Sequence, residues 1–232
     1  MDLLWNGFRE AFRLIAHGNR DVLEVTVRSL LVSSTATLIS LILGIPLGML
    51  LGLKRFPGRR VALALVNTGM GLPPVVVGLV VAIFLWRTGP FGALGLLYTP
   101  TAMAVAQAVL SLPLVAGLTA SSIQSLNPRL RLQLLALGAS PAQTVWLLMR
   151  EARLLLLAAV MAGFGAAISE VGASMQVGGN IKGETRVLTT SIVLETSRGN
   201  FDVALALGLI LLALVFAVTL VITLVQQRAK RV

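Results

Sequence analysis

Cysteine is absent from the 232 residues, and histidine occurs once, at position 17. Disulfides and thiolate metal sites are therefore excluded, and one imidazole cannot build a multi-histidine centre. Charge is scarce too: 12% of residues are charged, against roughly 25% in an ordinary soluble domain. Only nine are acidic. Paired carboxylates or a histidine–metal constellation, which an embedded enzyme would need, do not occur. No internal repeat marks the inverted halves of a secondary transporter.

What the chain has instead is apolar length. It is 56% hydrophobic, with mean hydropathy +0.91. No charge lies between Arg28 and Lys54, Arg60 and Arg87, Arg87 and Arg129, Arg153 and Glu170, or Asp202 and Arg228. A helix needs about 20 apolar residues to cross the hydrocarbon, and lipid cannot satisfy an open sheet edge. The pattern predicts an all-α polytopic membrane protein with five spans, at about 26–53, 61–86, 101–125, 154–175 and 203–226. Residues 1–21 read as an amphipathic segment lying at the membrane surface, with Leu4, Phe8, Phe12 and Ile15 on one face. No cleavable leader is expected. Residues 227–232 form a basic tail.

The net charge of +10 is distributed unevenly. Alternating loops put Lys54, Arg55, Arg59, Arg60, Arg129, Arg131, Arg150, Arg153, Arg228, Lys230 and Arg231 on one side, with Glu151 alone opposing them. The other side is neutral. The positive-inside rule makes the basic side cytoplasmic, with the N-terminus outside and the C-terminus inside. The excess charge is thus topological and does not point to nucleic acid.

Several segments carry more than hydrophobicity. In the second span, Gly71-Leu72-Pro73-Pro74-Val75-Val76-Val77-Gly78 removes backbone donors and bends the helix. It would line a pathway or serve helix packing. Gln107, Ser111 and Pro113 read as packing groups in the third span. In the long basic loop, Asn127-Pro128 starts a short helix, Gly138 stops it, and Ser140-Pro141-Ala142-Gln143 is a capping box for a helix running on into span four. Span four has 16 charge-free residues, about 24 Å of helix. It is expected to continue through Glu170 to about Met175, so that Glu170 needs a polar partner or a wet cavity. Gly178 to Thr185 nearly spells a phosphate loop, but Glu184 replaces the lysine and no strand precedes it. Nucleotide binding is rejected there. Backbone amides with Lys182 and Arg186 would still suit an anion, although a gate-forming turn is the favoured reading.

Three segments resemble the type-1 (MetI-like) permease subunits of ATP-binding-cassette importers, over about residues 22–226. The Gly71–Gly78 stretch is similar to the second-span motif of oxyanion permeases. Leu137-Gly138-Ala139-Ser140 resembles the glycine end of the family's coupling motif. Ser169-Glu170-Val171-Gly172-Ala173-Ser174, with Gly178 to Thr185 and Leu194 to Gly199, is similar to the outer segment of molybdate and tungstate permeases, closest to the tungstate branch. Leu132-Gln133-Leu134 departs from the family's Glu-Ala-Ala, leaving Arg129, Arg131 and Glu151 as the nearby charges. The resemblance implies a non-catalytic subunit in a prokaryotic cell membrane. Its partners would be a second copy, two cytoplasmic ATPases binding ATP and Mg, and an external oxyanion-binding protein. The coupling helix would be 128–140, with Arg129, Leu130, Arg131, Gln133, Leu137, Gly138, Ala139 and Ser140 meeting the ATPase. Pro73, Pro74, Glu170, Ser174, Asn180, Lys182 and Arg186 are the pathway or gate candidates. Tungstate is the expected substrate, with molybdate or another small solute as alternatives. A secondary transporter or channel is the competing class.

Overall fold

A computed structural model describes residues 5, 7, 9–13 and 19–230, apart from the side chains of Val225, Arg228, Ala229 and Lys230. All regular structure among the described residues is helical. The elements are α1 (Arg20–Leu53), α2 (Arg59–Gly69), α3 (Pro74–Leu85), α4 (Pro100–Gln124), α5 (Pro128–Ala136), α6 (Pro141–Glu151), α7 (Arg153–Ile168), α8 (Gly172–Gly178), α9 (Leu188–Ser197) and α10 (Phe201–Lys230). Three helices, α1, α4 and α10, are long and apolar enough to cross a membrane by themselves. The count reaches five if two bent pairs each make one span: α2 with α3, bent by 103°, and α6 with α7, bent by 73°.

The α1–α4 pair is the spine. Gly44, Gly48 and Gly52 recur every fourth residue along α1, which puts them on one helical face. A Cβ on Gly48 would lie 2.4 Å from the Ala116 carbonyl oxygen, and one on Gly44 or Gly52 would lie 2.9 Å from Val115 or Ile123. Small residues let two backbones approach where lipid gives no hydrophobic drive to associate. Polar groups then tie the seam. The Ser40 and Ser111 hydroxyls are 2.5 Å apart, and Ser111 also donates to the Gln107 carbonyl at 2.8 Å. The packing role expected of Gln107 and Ser111 matches these contacts. Pro113 meets the end of α2, where a Cβ on Gly69 would come within 2.7 Å of its ring.

Many large apolar side chains point outward, among them Leu31, Leu38, Ile42, Leu65, Leu212 and Phe216, each more than half exposed. That is the surface a helix bundle presents to lipid. At the N-terminus, Ala11 is buried and Phe12 is 76% exposed. A Cβ on Gly7 would overlap Leu205 of α10, so the Gly7–Ala11 face packs inward. Leu4, Phe8 and Ile15 of the expected apolar face lie outside the described residues.

Two expectations need correction. The capping box at Ser140 forms: Gln143 Oε1 accepts from the Ser140 amide at 2.8 Å, and the Ser140 hydroxyl accepts from the Gln143 amide at 3.3 Å. The helix it starts, however, does not run straight into span four. It turns at Ala152, which is 1% exposed and packed with Met49 and Ile123, and neither glycine nor proline marks the bend. Nor does span four continue through Glu170 to Met175. α7 ends at Ile168, and α8 begins at Gly172. Ser169 turns its hydroxyl back to the Gly165 carbonyl at 2.7 Å, while Glu170 caps the next helix. Side chains that bond nearby backbone in this way compete with helix continuation.

Candidate functional site

The break before α3 meets the break after α7. Pro73 has an extended backbone (φ −63°, ψ 122°), and Pro74 opens α3 at its first position, where a missing amide costs nothing. Four residues on, Gly78 is pressed against α8: a Cβ there would lie 2.6 Å from the Ala173 Cα. In return, a Cβ on Gly172 would lie 2.9 Å from Val75. Glycine at both positions is what lets the start of α3 seat on α8.

Glu170 sits at this junction, 8% exposed. Its Oε1 accepts from the Ala173 amide at 2.8 Å, and its carbonyl accepts from the Thr189 hydroxyl at 2.9 Å. The polar partner that an intramembrane carboxylate requires is therefore the first turn of α8. Ser174, fully buried, accepts from Gln107 Nε2 at 3.0 Å and links α8 to the spine. Pro73, Pro74, Glu170 and Ser174 thus gather at one packed junction.

Asn180, Lys182 and Arg186 form a second cluster, on the turn after α8. Asn180 adopts a left-handed backbone (φ 53°), a conformation asparagine tolerates better than most residues. Thr185, 0% exposed, pins the turn: its hydroxyl donates to the Gly178 carbonyl at 2.5 Å and accepts from the Ile181 amide at 2.9 Å. Arg28 reaches across from α1, donating to the Gly183 carbonyl at 2.7 Å and the Arg186 carbonyl at 3.0 Å. Lys182 pairs with Asp21 at 2.6 Å, both well exposed. Such an exposed pair contributes at most about 1 kcal/mol. A cavity of about 300 Å³ opens here, lined by Arg28, Lys182, Arg186, Ser191, Asp21, Glu24 and Glu195 among others. Arg186 Nε and the Ser191 hydroxyl, both buried, have no hydrogen-bond partner. Backbone bonds hold the would-be phosphate loop as a folded turn, with no strand before it.

The opposite end of α1 carries the expected coupling segment. Asn127 accepts from the Arg129 amide at 3.0 Å, starting α5. Gly138 closes it with φ 81°, and the Ala139 amide donates to the Leu134 carbonyl at 3.0 Å. Both ends follow the capping chemistry read from the sequence. Arg129, Arg131, Gln133, Leu137, Gly138 and Ser140 are exposed; Leu130 and Ala139 are half-buried. Leu132 and Leu137 are 67% and 84% exposed. α5 touches little but α6, so it stands out from the bundle as a hook.

Sequence reasoning missed Arg28, Thr185, Thr189 and the Gly44-Gly48-Gly52 stripe. The four-residue glycine spacing was a usable signal. The other three bond partners distant in sequence or held in a turn, and no local pattern announced them.

A helical bundle with two bent helix pairs, a packed α3–α8 junction and a capped hook at one end has the architecture of a polytopic membrane protein. Residues 44–231 match the family described as "binding-protein-dependent transport system inner membrane component", and the chain belongs to it. The chain is 44% identical over 227 residues to the tungstate uptake system permease protein TupB of Peptoclostridium acidaminophilum, covering 98% of this chain and 100% of that one. It is 43% identical over 202 residues to a probable anion ABC transporter permease protein of Haloferax volcanii, covering 85% and 87%. Among solved structures, an amino acid ABC transporter chain superposes with TM-score 0.63 at 17% identity, over 95% of this chain and 98% of that one, which establishes the shared fold.

Proposed function

We propose that this chain is the membrane-spanning subunit of an ATP-driven importer for a tetrahedral oxyanion, and that the oxyanion is tungstate. The near full-length similarity to a tungstate uptake permease is the observation that carries this reading. Two copies form the pathway. Two separate ATPase subunits, which bind ATP and Mg, dock on 128–140, and an external binding protein delivers the anion to the opposite face. The chain itself hydrolyses nothing.

The sidedness follows from charge. Lys54, Arg55, Arg59 and Arg60 gather with α5 and the end of α10 at the C-terminal end of α1. There Gln226 bonds the Leu154 carbonyl at 3.0 Å. The turn at 178–187 gathers at the N-terminal end. α1 has 34 residues, about 51 Å of helix, so the two groups are separated by more than the hydrocarbon thickness. The positive-inside rule then puts α5 in the cytoplasm.

Closure of the ATPases pulls the α5 hook. The load passes through the bend at Ala152 and α7 to the Glu170 junction, where α8 and α3 move as packed bodies between two discrete arrangements. The permease needs no tight anion site, since a tight site would slow release.

The test is uptake of tungstate, measured as cell-associated metal, in cells expressing the permease with its ATPase and binding protein. ATP-dependent accumulation that excess sulfate does not compete away is expected. Molybdate competing as well as tungstate would overturn the tungstate assignment. Accumulation without the ATPase would overturn the importer reading.

A further inference from the structure

At the C-terminal end of α1 a cleft of about 300 Å³ opens between the α1–α2 turn and the start of α5. Arg55, Arg59 and Arg131 all line it, and no carboxylate does. None of the three forms an ion pair among the described residues. Part of this charge has an internal explanation. Arg59 Nε donates to the Leu51 carbonyl at 2.7 Å, satisfying one of the open carbonyls at the end of α1. Among the described residues, Arg55 and Arg131 make no side-chain hydrogen bond there. They come from positions 76 residues apart, and the fold brings them to one cleft. Three like charges facing a common space repel one another unless an anion sits between them.

The remainder of the lining selects the kind of anion. Ile123 and Leu148 supply an apolar wall, and both are nearly fully buried. The cleft lies where two membrane-crossing helices, α1 and α4, end, which is headgroup depth. Basic clefts between spans at this level suit the phosphate of an anionic lipid. Guanidinium groups meet phosphate oxygens in paired hydrogen bonds, whereas a zwitterionic headgroup brings a cation that would face the arginines.

We infer that this cleft binds a phosphate-bearing anion, and that its source is the headgroup of an acidic phospholipid in the cytoplasmic leaflet. The site stands apart from the oxyanion pathway; it shares Arg131 with the 128–140 segment that meets the ATPase, and measurement on the chain alone separates the two roles. Its failure would leave the transport reading untouched. Bound lipid would brace the α1–α2 turn against the root of the coupling helix.

The experiment uses the purified full-length chain, alone and in the assembled transporter. Thermal unfolding and native mass spectrometry are followed against phosphatidylglycerol, phosphatidylcholine, glycerol 3-phosphate and inorganic phosphate. Phosphatidylglycerol should stabilise the protein saturably and remain bound in the spectrometer; phosphatidylcholine should not. Arg55→Gln with Arg131→Gln should weaken that binding about 25-fold, at roughly fivefold for each arginine near an anionic surface. Arg60→Gln, exposed on the same face but outside the cleft, should leave it unchanged. Arg59 is kept, because it also holds the Leu51 carbonyl. Equal stabilisation by glycerol 3-phosphate would overturn the lipid source while retaining the phosphate site. Phosphatidylglycerol binding that is unchanged in the double variant would overturn the site itself.

Discussion

Gly78→Ala adds a single methyl group where α3 meets α8. That Cβ would lie 2.6 Å from the Ala173 Cα, 3.0 Å from the Gln176 Cβ and 3.2 Å from the Ala173 Cβ. Carbon atoms rest at about 3.5–4.0 Å, so the two helices must separate by about 1 Å. The nearest obstacle is backbone, so no rotamer change relieves it. Overpacking of this kind costs about 1–3 kcal/mol. Gly165→Ala in α7 is the matched control. A Cβ there meets nothing within 4 Å. In a helix interior that substitution should be neutral or stabilising by about 0.5–1 kcal/mol. Thermal unfolding in detergent and transport in cells read the two together. Gly78→Ala should unfold earlier and lose most uptake while Gly165→Ala keeps both. Ala173→Gly should fail to rescue Gly78→Ala, because the closest contact is with the Cα and survives. If Gly78→Ala and Gly165→Ala prove indistinguishable in both assays, the packed-junction argument is wrong.

Glu170→Ala leaves the Ala173 amide buried without an acceptor and should cost about 1–3 kcal/mol in thermal unfolding, whereas Glu170→Gln retains an oxygen acceptor and should fall between it and the parent. Equal losses in the two would mean the negative charge itself is required. Thr185→Val keeps the shape but strands the Ile181 amide and the Gly178 carbonyl; hydrogen exchange at 178–186 should quicken by at least tenfold, with global unfolding affected less. Leu132→Asp with Leu137→Asp alters two exposed side chains and should leave thermal unfolding within about 0.5 kcal/mol of the parent. ATPase co-purification should drop at least tenfold, and its full retention would count against the hook as the docking element.

The sequence alone determined which stretches can live in lipid, because apolar length and freedom from charge are local properties. It also determined which end carries the positive charge. The capping at Asn127, Ser140 and Gly138 was legible for the same reason: each cap closes within a few residues. Tertiary structure decided the rest. The turn at Ala152 has no glycine or proline to announce it and sits packed with Met49 and Ile123 of two other helices. Glu170 looked like a charge inside a continuous span, yet the chain breaks around it so that its carboxylate caps α8. The seat of Gly78 on Ala173 joins residues 95 apart, and the Arg55–Arg131 cleft joins residues 76 apart. Pattern along the chain reports what each helix can face; only the packed bundle selects which two faces meet, because close contact is a property of pairs.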